Sequence, residues 1–284
     1  MLDSVTGDDL FAQIQMLRTS DPRTIVLVEG GSDCDALDPH IDDACAQTIP
    51  GHSRTTVERA IALVDSANTE RVVALVDRDW TGKLEAPSES QNLVYTDLYD
   101  LDASIVLSGD VLDRVLSSIS DRHQRSSHLR GIGITARDLL VRLAGTVGLG
   151  RYVVARDDLE VRFRNLPIGD CTDRSNGTVD VSKLCVVAIA KSTQARCSES
   201  QLSNFIREEE EAQTDLEEFC SGHDLAAHMS SLIKTSWGGS RVTGGFVERT
   251  IRAAFDCQTL KSLDFYTAIR EWATAAETKV WSCP

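Results

Sequence analysis

Two short stretches of the sequence end in carboxylates that could hold a metal ion. Residues 25–33 begin with an apolar run that leads to Glu29, and residues 72–80 begin with one that leads to Asp77 and Asp79. Apolar, β-branched runs of this length are typical of buried strands in a parallel sheet. Ligands of open α/β sheets bind just beyond the carboxyl ends of such strands. If the two strands are neighbours, the carboxylates converge and require a hard cation between them, which indicates Mg²⁺, with Mn²⁺ as the alternative ion.

Several other residues are candidates for the same chemistry, each with a simpler explanation. Asp33 is either a ligand of a second metal ion or a favourable charge in the first turn of a helix. Asp102 either extends the set of metal ligands or caps a helix. Lys83 follows the third predicted strand and could stabilise negative charge in a transition state. His223 and Asp224 either supply a general acid or belong to a helix cap, with the cap favoured.

The hydrophobic pattern predicts an α/β unit in residues 1–107, with a mainly parallel sheet flanked by helices. A helix is expected over 8–19, a short one around Asp33, and a longer one capped by Ser53, so that the order after the first helix is β-α-β-α-β-β. The four strands are predicted at 24–29, 46–49, 71–76 and 92–96.

Residues 108–284 are predicted to form a mainly helical region with a small β element, suited to binding a substrate or a partner. Alternating apolar and charged residues predict a half-buried strand at 159–164. The polar and basic run 120–130 is expected to be an exposed loop. Helices are predicted over 110–119, 135–147, 181–191, 199–211, 222–233, 247–255 and 260–276.

The charge distribution argues against a general nucleic-acid binder but leaves one basic stretch. The chain carries a net charge of −15, to which residues 1–100 contribute −12 and residues 201–284 contribute −5. Residues 101–200 carry +2. Arg162 and Arg164 share one face of the predicted strand and could follow a phosphate backbone. A solvated face or a patch for a partner protein is the alternative.

The cysteines, the N-terminal residues and the apolar runs together predict a cytoplasmic location. None of the eight cysteines forms a C-x-x-C pair, so free thiols are expected rather than a structural zinc site. The first residues lack the features of a signal peptide. No apolar run approaches the ~20 residues that cross a bilayer. We therefore expect a cytoplasmic protein that does not act at a membrane.

The acidic strand ends resemble those of a TOPRIM domain. The matching motifs are Glu-Gly at 29–30, Pro-Gly at 50–51 and Asp-Arg-Asp at 77–79, within residues 24–107. TOPRIM domains occur in topoisomerases, primases, recombination-repair proteins and OLD-type nucleases. The resemblance implies that Glu29 is a metal ligand or general base and that the two aspartates anchor the ion.

Stretches outside these motifs resemble one TOPRIM family in particular. They are residues 96–102, 222–224, 252–255 and 265–269. The family is related to the OLD nucleases and includes the AriB-type effectors of the PARIS anti-phage system. Its members often have a glutamate where this chain has Asp102. The resemblance implies an ABC-type ATPase partner that senses infection, and a nucleic-acid substrate, which is transfer RNA in the PARIS case. A homodimer is a further expectation.

The leading hypothesis is a Mg²⁺-dependent endonuclease that acts as a toxic defence effector, with Glu29, Asp77 and Asp79 as catalytic residues. A non-catalytic TOPRIM-like module that regulates a partner ATPase is the alternative, and the acidic surface favours it. Strand transfer or nucleotidyl transfer is less well supported, because the chain is short and has only four tyrosines.

Overall fold

The computed structural model describes residues 5–239 and 241–283, which divide into two compact units. The first unit holds the described residues up to Gly109 together with those from Phe255 onwards. The second unit is Asp110–Ala254. The sequence-based division grouped residues 255–284 with the helical region, whereas their contacts place the described ones in the first unit.

The first unit contains a four-stranded parallel sheet. Its strands are β1 (Thr24–Val28), β2 (Ala46–Pro50), β3 (Val72–Val76) and β4 (Leu93–Tyr95), in the order β2-β1-β3-β4. Every residue of β1 and β3 is buried, so these central strands are continuously apolar rather than alternating. The predicted α/β fold with a mainly parallel sheet is confirmed.

Among the described residues, four α-helices of this unit precede Gly109, and two of them share a core with the sheet. Leu10 and Ile14 of the first helix pack with Val57 and Ile61 of the third and with the apolar strand residues. The four helices are α1 (Gly7–Arg18), α2 (Gly31–Leu37), α3 (Arg54–Ser66) and α4 (Leu101–Val106). The side chains of Thr6, Ser53 and Asp100 cap α1, α3 and α4.

The second unit is mainly helical, as predicted. Its helices are α5 (Val111–Ile119), α6 (Arg122–Ile132), α7 (Ala136–Arg156), α8 (Val181–Ala190), α9 (Glu199–Ala212), α10 (Gly222–Thr235) and α11 (Gly244–Ala254). A short antiparallel pair, β5 (Thr172–Asp173) and β6 (Thr178–Val179), is its β element. Among the described residues, no helix combines the length and apolar character required to cross a bilayer.

Two predictions for this unit are wrong. The run 120–130 is not a loop but contains most of α6, which Asp121 caps by accepting a hydrogen bond from the amide of Gln124. Residues 159–164 form no strand. Leu159, Val161 and Phe163 are buried and alternate with exposed residues, as the sequence pattern predicts. Among the described residues, however, this segment pairs with no strand.

Beyond Ala254, the predicted helix over 260–276 is instead two helices of the first unit, α12 (Cys257–Lys261) and α13 (Asp264–Ala275). The interruption has a clear cause, because the carboxylate of Asp97 accepts hydrogen bonds from the amides of Asp264 and Phe265. These bonds at 2.7 and 3.0 Å satisfy the first turn of α13 and fix where it begins.

The cysteines depart from the expectation of free thiols at one place. Cys257 and Cys283 form a disulfide, and both belong to the first unit. The other cysteines are free, and three of them are buried in the second unit: Cys171, Cys185 and Cys220. Nothing in their spacing distinguishes the bonded pair from the rest.

Helix α7 contains a glycine whose missing side chain the fold requires. A Cβ atom at Gly148 would lie 1.9 Å from the carbonyl oxygen of Phe219. Gly148→Ala is therefore expected to lower the free energy of unfolding by about 3 kcal/mol, the upper part of the range for overpacked cores. Gly131→Ala in α6 is the matched control, since a Cβ atom there would have no neighbour within 4 Å, and it should stabilise the helix by about 0.5–1 kcal/mol. Urea denaturation of the two variants compares them directly, and equal midpoints would contradict this packing.

Candidate metal centre

The carboxyl ends of β1 and β3 lie side by side, which is the arrangement that the convergence of the carboxylates requires. Leu27 of β1 is opposite Ala74 of β3, so the residues that follow each strand emerge at the same edge of the sheet. The side chain of Glu29 crosses this edge, and its Oε1 accepts a hydrogen bond from the backbone amide of Asp77 at 2.9 Å. The Glu29 carboxylate thus contacts the backbone of Asp77 and is close enough to influence the ionisation of the Asp77 side chain.

Asp77 is held from its other side by the beginning of α4. Its Oδ1 accepts a hydrogen bond from the amide of Leu101 at 3.1 Å. Asp100, the cap of α4, accepts from the amide of Ala103 at 2.7 Å and is close enough to influence the ionisation of Asp77. Asp100 therefore belongs to the acidic group, although it was not among the residues predicted from the sequence.

Asp33 accepts a hydrogen bond at the start of α2 and also lies near enough to the acidic group to influence its ionisation. Its Oδ2 accepts a hydrogen bond from the amide of Gly30 at 2.8 Å, across the first turn of α2. Its charge raises the pKa values of both Glu29 and Asp77. The two interpretations of Asp33 are therefore compatible, and its role as a metal ligand stays a prediction.

Asp79 is held by an arginine that was not predicted from the sequence. Arg54, the first residue of α3, donates from Nη1 to Asp79 Oδ2 at 3.2 Å. The same guanidinium pairs with Glu58 and Glu85 at 2.8 and 3.1 Å. Asp79 has a positive φ of 44°, and its amide donates to the carbonyl of Tyr99. The backbone thus turns sharply after β3 and directs Asp79 towards α3.

The environment of Glu29 and Asp77 disfavours their charged forms. Burial raises the pKa of Glu29 to about 7, and the charges of Asp79 and Asp33 add to this. The amide of Asp77 and the cation of Arg54 act in the opposite direction. Burial also raises the pKa of Asp77 to about 9, with the charge of Asp100 as the next largest cause. A cation bound at this edge would remove both penalties.

The donor set suits Mg²⁺ in its chemistry, because every candidate ligand is a carboxylate oxygen. The carboxylate oxygens lie further apart than the ligand atoms of a fully formed metal site. Among the described residues, the trio of ligand atoms that lies within 4.8 Å of one another is that of His40, Cys257 and Cys283. Mg²⁺ usually keeps several waters and binds through one or two carboxylates, so the adjacent Glu29 and Asp77 could hold it without a cage.

Two further candidates of the first unit lie on the segments that follow β3 and β4. Asp102 is in the first turn of α4, but Asp100 caps that helix, so the alternative explanation for Asp102 as a cap is wrong. Lys83 is exposed in the turn after Trp80, where its amide donates to the carbonyl of that residue. The metal-binding role of Asp102 and the substrate-binding role of Lys83 stay predictions.

Two of the candidate residues in the second unit, His223 and Asp224, form ion pairs with neighbouring side chains. His223 is paired with Glu248 through Nδ1 at 2.9 Å, and Asp224 forms a buried ion pair with Arg151 at 2.5 Å. These contacts fit the favoured explanation of the Gly-His-Asp motif as part of a helix start, which Ser221 caps. Arg162 and Arg164 are exposed.

Comparisons with known proteins add no family assignment. A scan against protein-family models and a search of curated proteins both find no match to this chain. The TOPRIM resemblance therefore depends on the motif residues themselves and stays a prediction.

Asp100 and Arg54 are the residues of this centre that were missed from the sequence. Asp100 could have been found, because an aspartate followed by an apolar helix is a common N-cap and lies near the end of the fourth strand. Arg54 gives no such signal. Its role depends on the packing of α3 beside the loop that follows β3, which the sequence pattern does not specify.

Proposed function

We propose that this protein is a Mg²⁺-dependent phosphodiesterase that cleaves nucleic acid, with its centre at the carboxyl edge of the parallel sheet. The observation that carries the proposal is the hydrogen bond from the backbone amide of Asp77 to the Glu29 carboxylate, within a group of mutually interacting acids that also includes Asp33, Asp79 and Asp100. Carboxylates gathered at a strand edge with their charged forms disfavoured are suited to a divalent cation.

The residues of the centre have separable roles in this proposal. Asp77, oriented by the amide of Leu101, and Asp79 would hold the ion together with Glu29. Bound Mg²⁺ would supply Lewis acidity towards a phosphate and lower the pKa of a water molecule. If Glu29 is not a ligand of the ion, it would instead accept a proton, because its metal-free pKa of about 7 suits a general base near neutral pH and a directly bound cation would lower it. Arg54 restrains Asp79 and keeps a positive charge beside the acids.

The finer assignment is an endonuclease effector of anti-phage defence, with transfer RNA as a candidate substrate and an ABC-type ATPase as its regulator. The motif resemblance supports this assignment. The cytoplasm is the compartment where such substrates and partners occur, and a homodimer is part of the same proposal.

A second candidate is a non-catalytic module that regulates a partner ATPase. The ion pairs of Arg54 favour it, because Asp79, Glu58 and Glu85 already have a cation among them. In this alternative the ion pairs of Arg54 stabilise the surface, and the acids bind no metal.

Incubation of the purified protein with total RNA, single-stranded DNA and duplex DNA separates the two candidates. Each substrate is tested with Mg²⁺, with Mn²⁺ and with EDTA, alone and together with the candidate ATPase. We expect cleavage of one substrate class that requires the ion and stops in EDTA. Intact substrates under every condition, with the ATPase present, would favour the non-catalytic module.

The exposed arginines at 162 and 164 yield a prediction for substrate binding. In the part of the chain that the structure describes, neither has a carboxylate partner. If both contact phosphates, Arg162→Ala/Arg164→Ala should reduce the slope of log affinity against log salt by roughly 1.4–1.8, at 0.7–0.9 per contact. The double variant Arg59→Ala/Arg196→Ala removes the same charge from arginines that already pair with acids, so its slope should not change. Fluorescence anisotropy with labelled RNA measures both, and equal slopes in the two variants would exclude these phosphate contacts.

A further inference from the structure

Away from the acidic group, the first unit brings two sulfur atoms and an imidazole together. The disulfide joins Cys257, at the beginning of α12, to Cys283. His40 ends a short 3-10 turn after α2, and its Nδ1 lies 3.9 Å from Cys257 Sγ and 3.7 Å from Cys283 Sγ. All three potential ligand atoms lie within 4.8 Å of one another.

The imidazole is held in a position that a metal ligand requires. His40 is only 5% exposed and packs edge-on against the ring of Phe255, with centroids 4.7 Å apart. It also makes a hydrogen bond to the backbone of Phe255. Histidines that bind metal ordinarily make such a second bond, which fixes the ring orientation.

The three residues are also held together by contacts other than the disulfide. The amide of Ser282 donates to the carbonyl of His40 at 2.8 Å, and the amide of Asp42 donates to the carbonyl of Val280 at 2.8 Å. Lys279 pairs with Asp42 at 2.7 Å. These bonds join residues 279–282 to residues 40–42, next to Cys283. Reduction of the disulfide would therefore leave Cys283 beside His40, and the ring contact of His40 with Phe255 keeps the segment that leads to Cys257 there as well.

We propose that His40, Cys257 and Cys283 form a Zn²⁺ site when the Cys257–Cys283 disulfide is reduced. Two thiolates and one imidazole are a ligand set that suits Zn²⁺, and water would occupy the fourth position. A dithiol reductant supplies two electrons and two protons, which break the S–S bond and give two thiols, and it is left as a disulfide. Zn²⁺ then replaces the two thiol protons, which are released to solvent.

This site is independent of the proposed phosphodiesterase activity. Either the disulfide or the metal would fasten residues 255–283 to the segment that contains His40. In a reducing compartment, where disulfides are rare, the metal-bound form would be the relevant one. Without the disulfide and the metal, residues 279–282 would be joined to residues 40–42 by the backbone hydrogen bonds and by the Lys279–Asp42 ion pair.

Cobalt titration tests the site directly. The full-length protein is reduced with a phosphine, freed of metal, and titrated with Co²⁺, whose bonds to thiolate give a charge-transfer absorption. We expect saturation at one ion per chain, displacement by Zn²⁺, and no such absorption in the oxidised protein. His40→Gln and Cys283→Ser should weaken binding more than tenfold, because changes even to outer partners of zinc ligands cost about 10- to 100-fold. Cys34→Ser/Cys45→Ser, at free thiols of the same unit, should bind as the unmodified chain does.

Alkylation followed by mass spectrometry gives a second measurement that needs no variant. Zn²⁺ should slow the alkylation of Cys257 and Cys283 in the reduced protein, and should leave the rates at Cys34 and Cys45 unchanged. Absence of the cobalt absorption in the reduced chain, unchanged affinity for Co²⁺ in Cys283→Ser, or equal alkylation rates with and without Zn²⁺ would each overturn the proposal.

Discussion

Glu29→Gln is expected to lower the rate of Mg²⁺-dependent cleavage by about a thousandfold. The substitution keeps the size of the side chain, and its amide oxygen can still accept the hydrogen bond from the Asp77 amide. It removes either a negative charge that would bind the ion or, if Glu29 is not a ligand, a group whose metal-free pKa of about 7 suits proton transfer. General-base catalysis alone is worth about 10²- to 10⁴-fold. The measurement is the initial cleavage rate at saturating Mg²⁺.

A matched control separates this effect from a general loss of acidity. Glu70→Gln changes an exposed glutamate that lies shortly before β3, and it should cleave at the unmodified rate. Circular dichroism should give the same spectrum for both variants. Equal cleavage by Glu29→Gln and the unmodified protein would remove Glu29 from the mechanism and, with it, the proposed centre.

Asp77→Asn should stabilise the metal-free protein at pH 8 while removing its response to Mg²⁺. An unfolded aspartate ionises near its ordinary value of 3.8, whereas the folded Asp77 keeps its proton until about pH 9. The folded state therefore loses stability relative to the unfolded state as pH rises from about 4 to 9. Asparagine does not ionise in this pH range, so Asp77→Asn should remove the part of the pH-dependent loss of stability that Asp77 causes.

The size of this effect can be bounded. A tenfold change in proton affinity is worth about 1.4 kcal/mol, and after a large discount for solvent screening we expect a gain of about 2 kcal/mol. That corresponds to roughly 4–8 °C in melting temperature for a chain of this size. Scanning calorimetry in EDTA at pH 5 and pH 8 measures it, with the exposed Asp35→Asn as control. Mg²⁺ should raise the melting temperature of the unmodified protein but not of Asp77→Asn. A variant with the unmodified pH dependence would contradict the environment described for Asp77.

The sheet could be predicted because its signal is local. Strands β1 and β3 are buried on both faces, and continuous apolar runs followed by glycine or charge mark them without reference to the rest of the chain. The meeting of Glu29 and Asp77 follows from the adjacency of these two strands. The acidic edge of the candidate centre was therefore accessible from the sequence.

Most of the errors have a common physical cause, which is that they depend on partners distant in the sequence. The segment 159–164 has the alternation of a strand, but a strand also needs a neighbouring strand to pair with, and it has none among the described residues. The disulfide joins residues 26 positions apart whose approach depends on how residues 279–283 return to His40. Helix α6 was missed for a different reason, because its polar composition hid a standard cap at Asp121.

The division of the chain into units has a consequence for biosynthesis. The second unit is continuous in sequence, whereas the first is interrupted by it and is completed only by residues beyond Ala254. On the ribosome, Asp110–Ala254 can therefore fold while the parallel sheet still lacks α13, whose Trp272 donates a hydrogen bond to Asn92 beside β4. The first unit is thus completed only after the second unit has been synthesised.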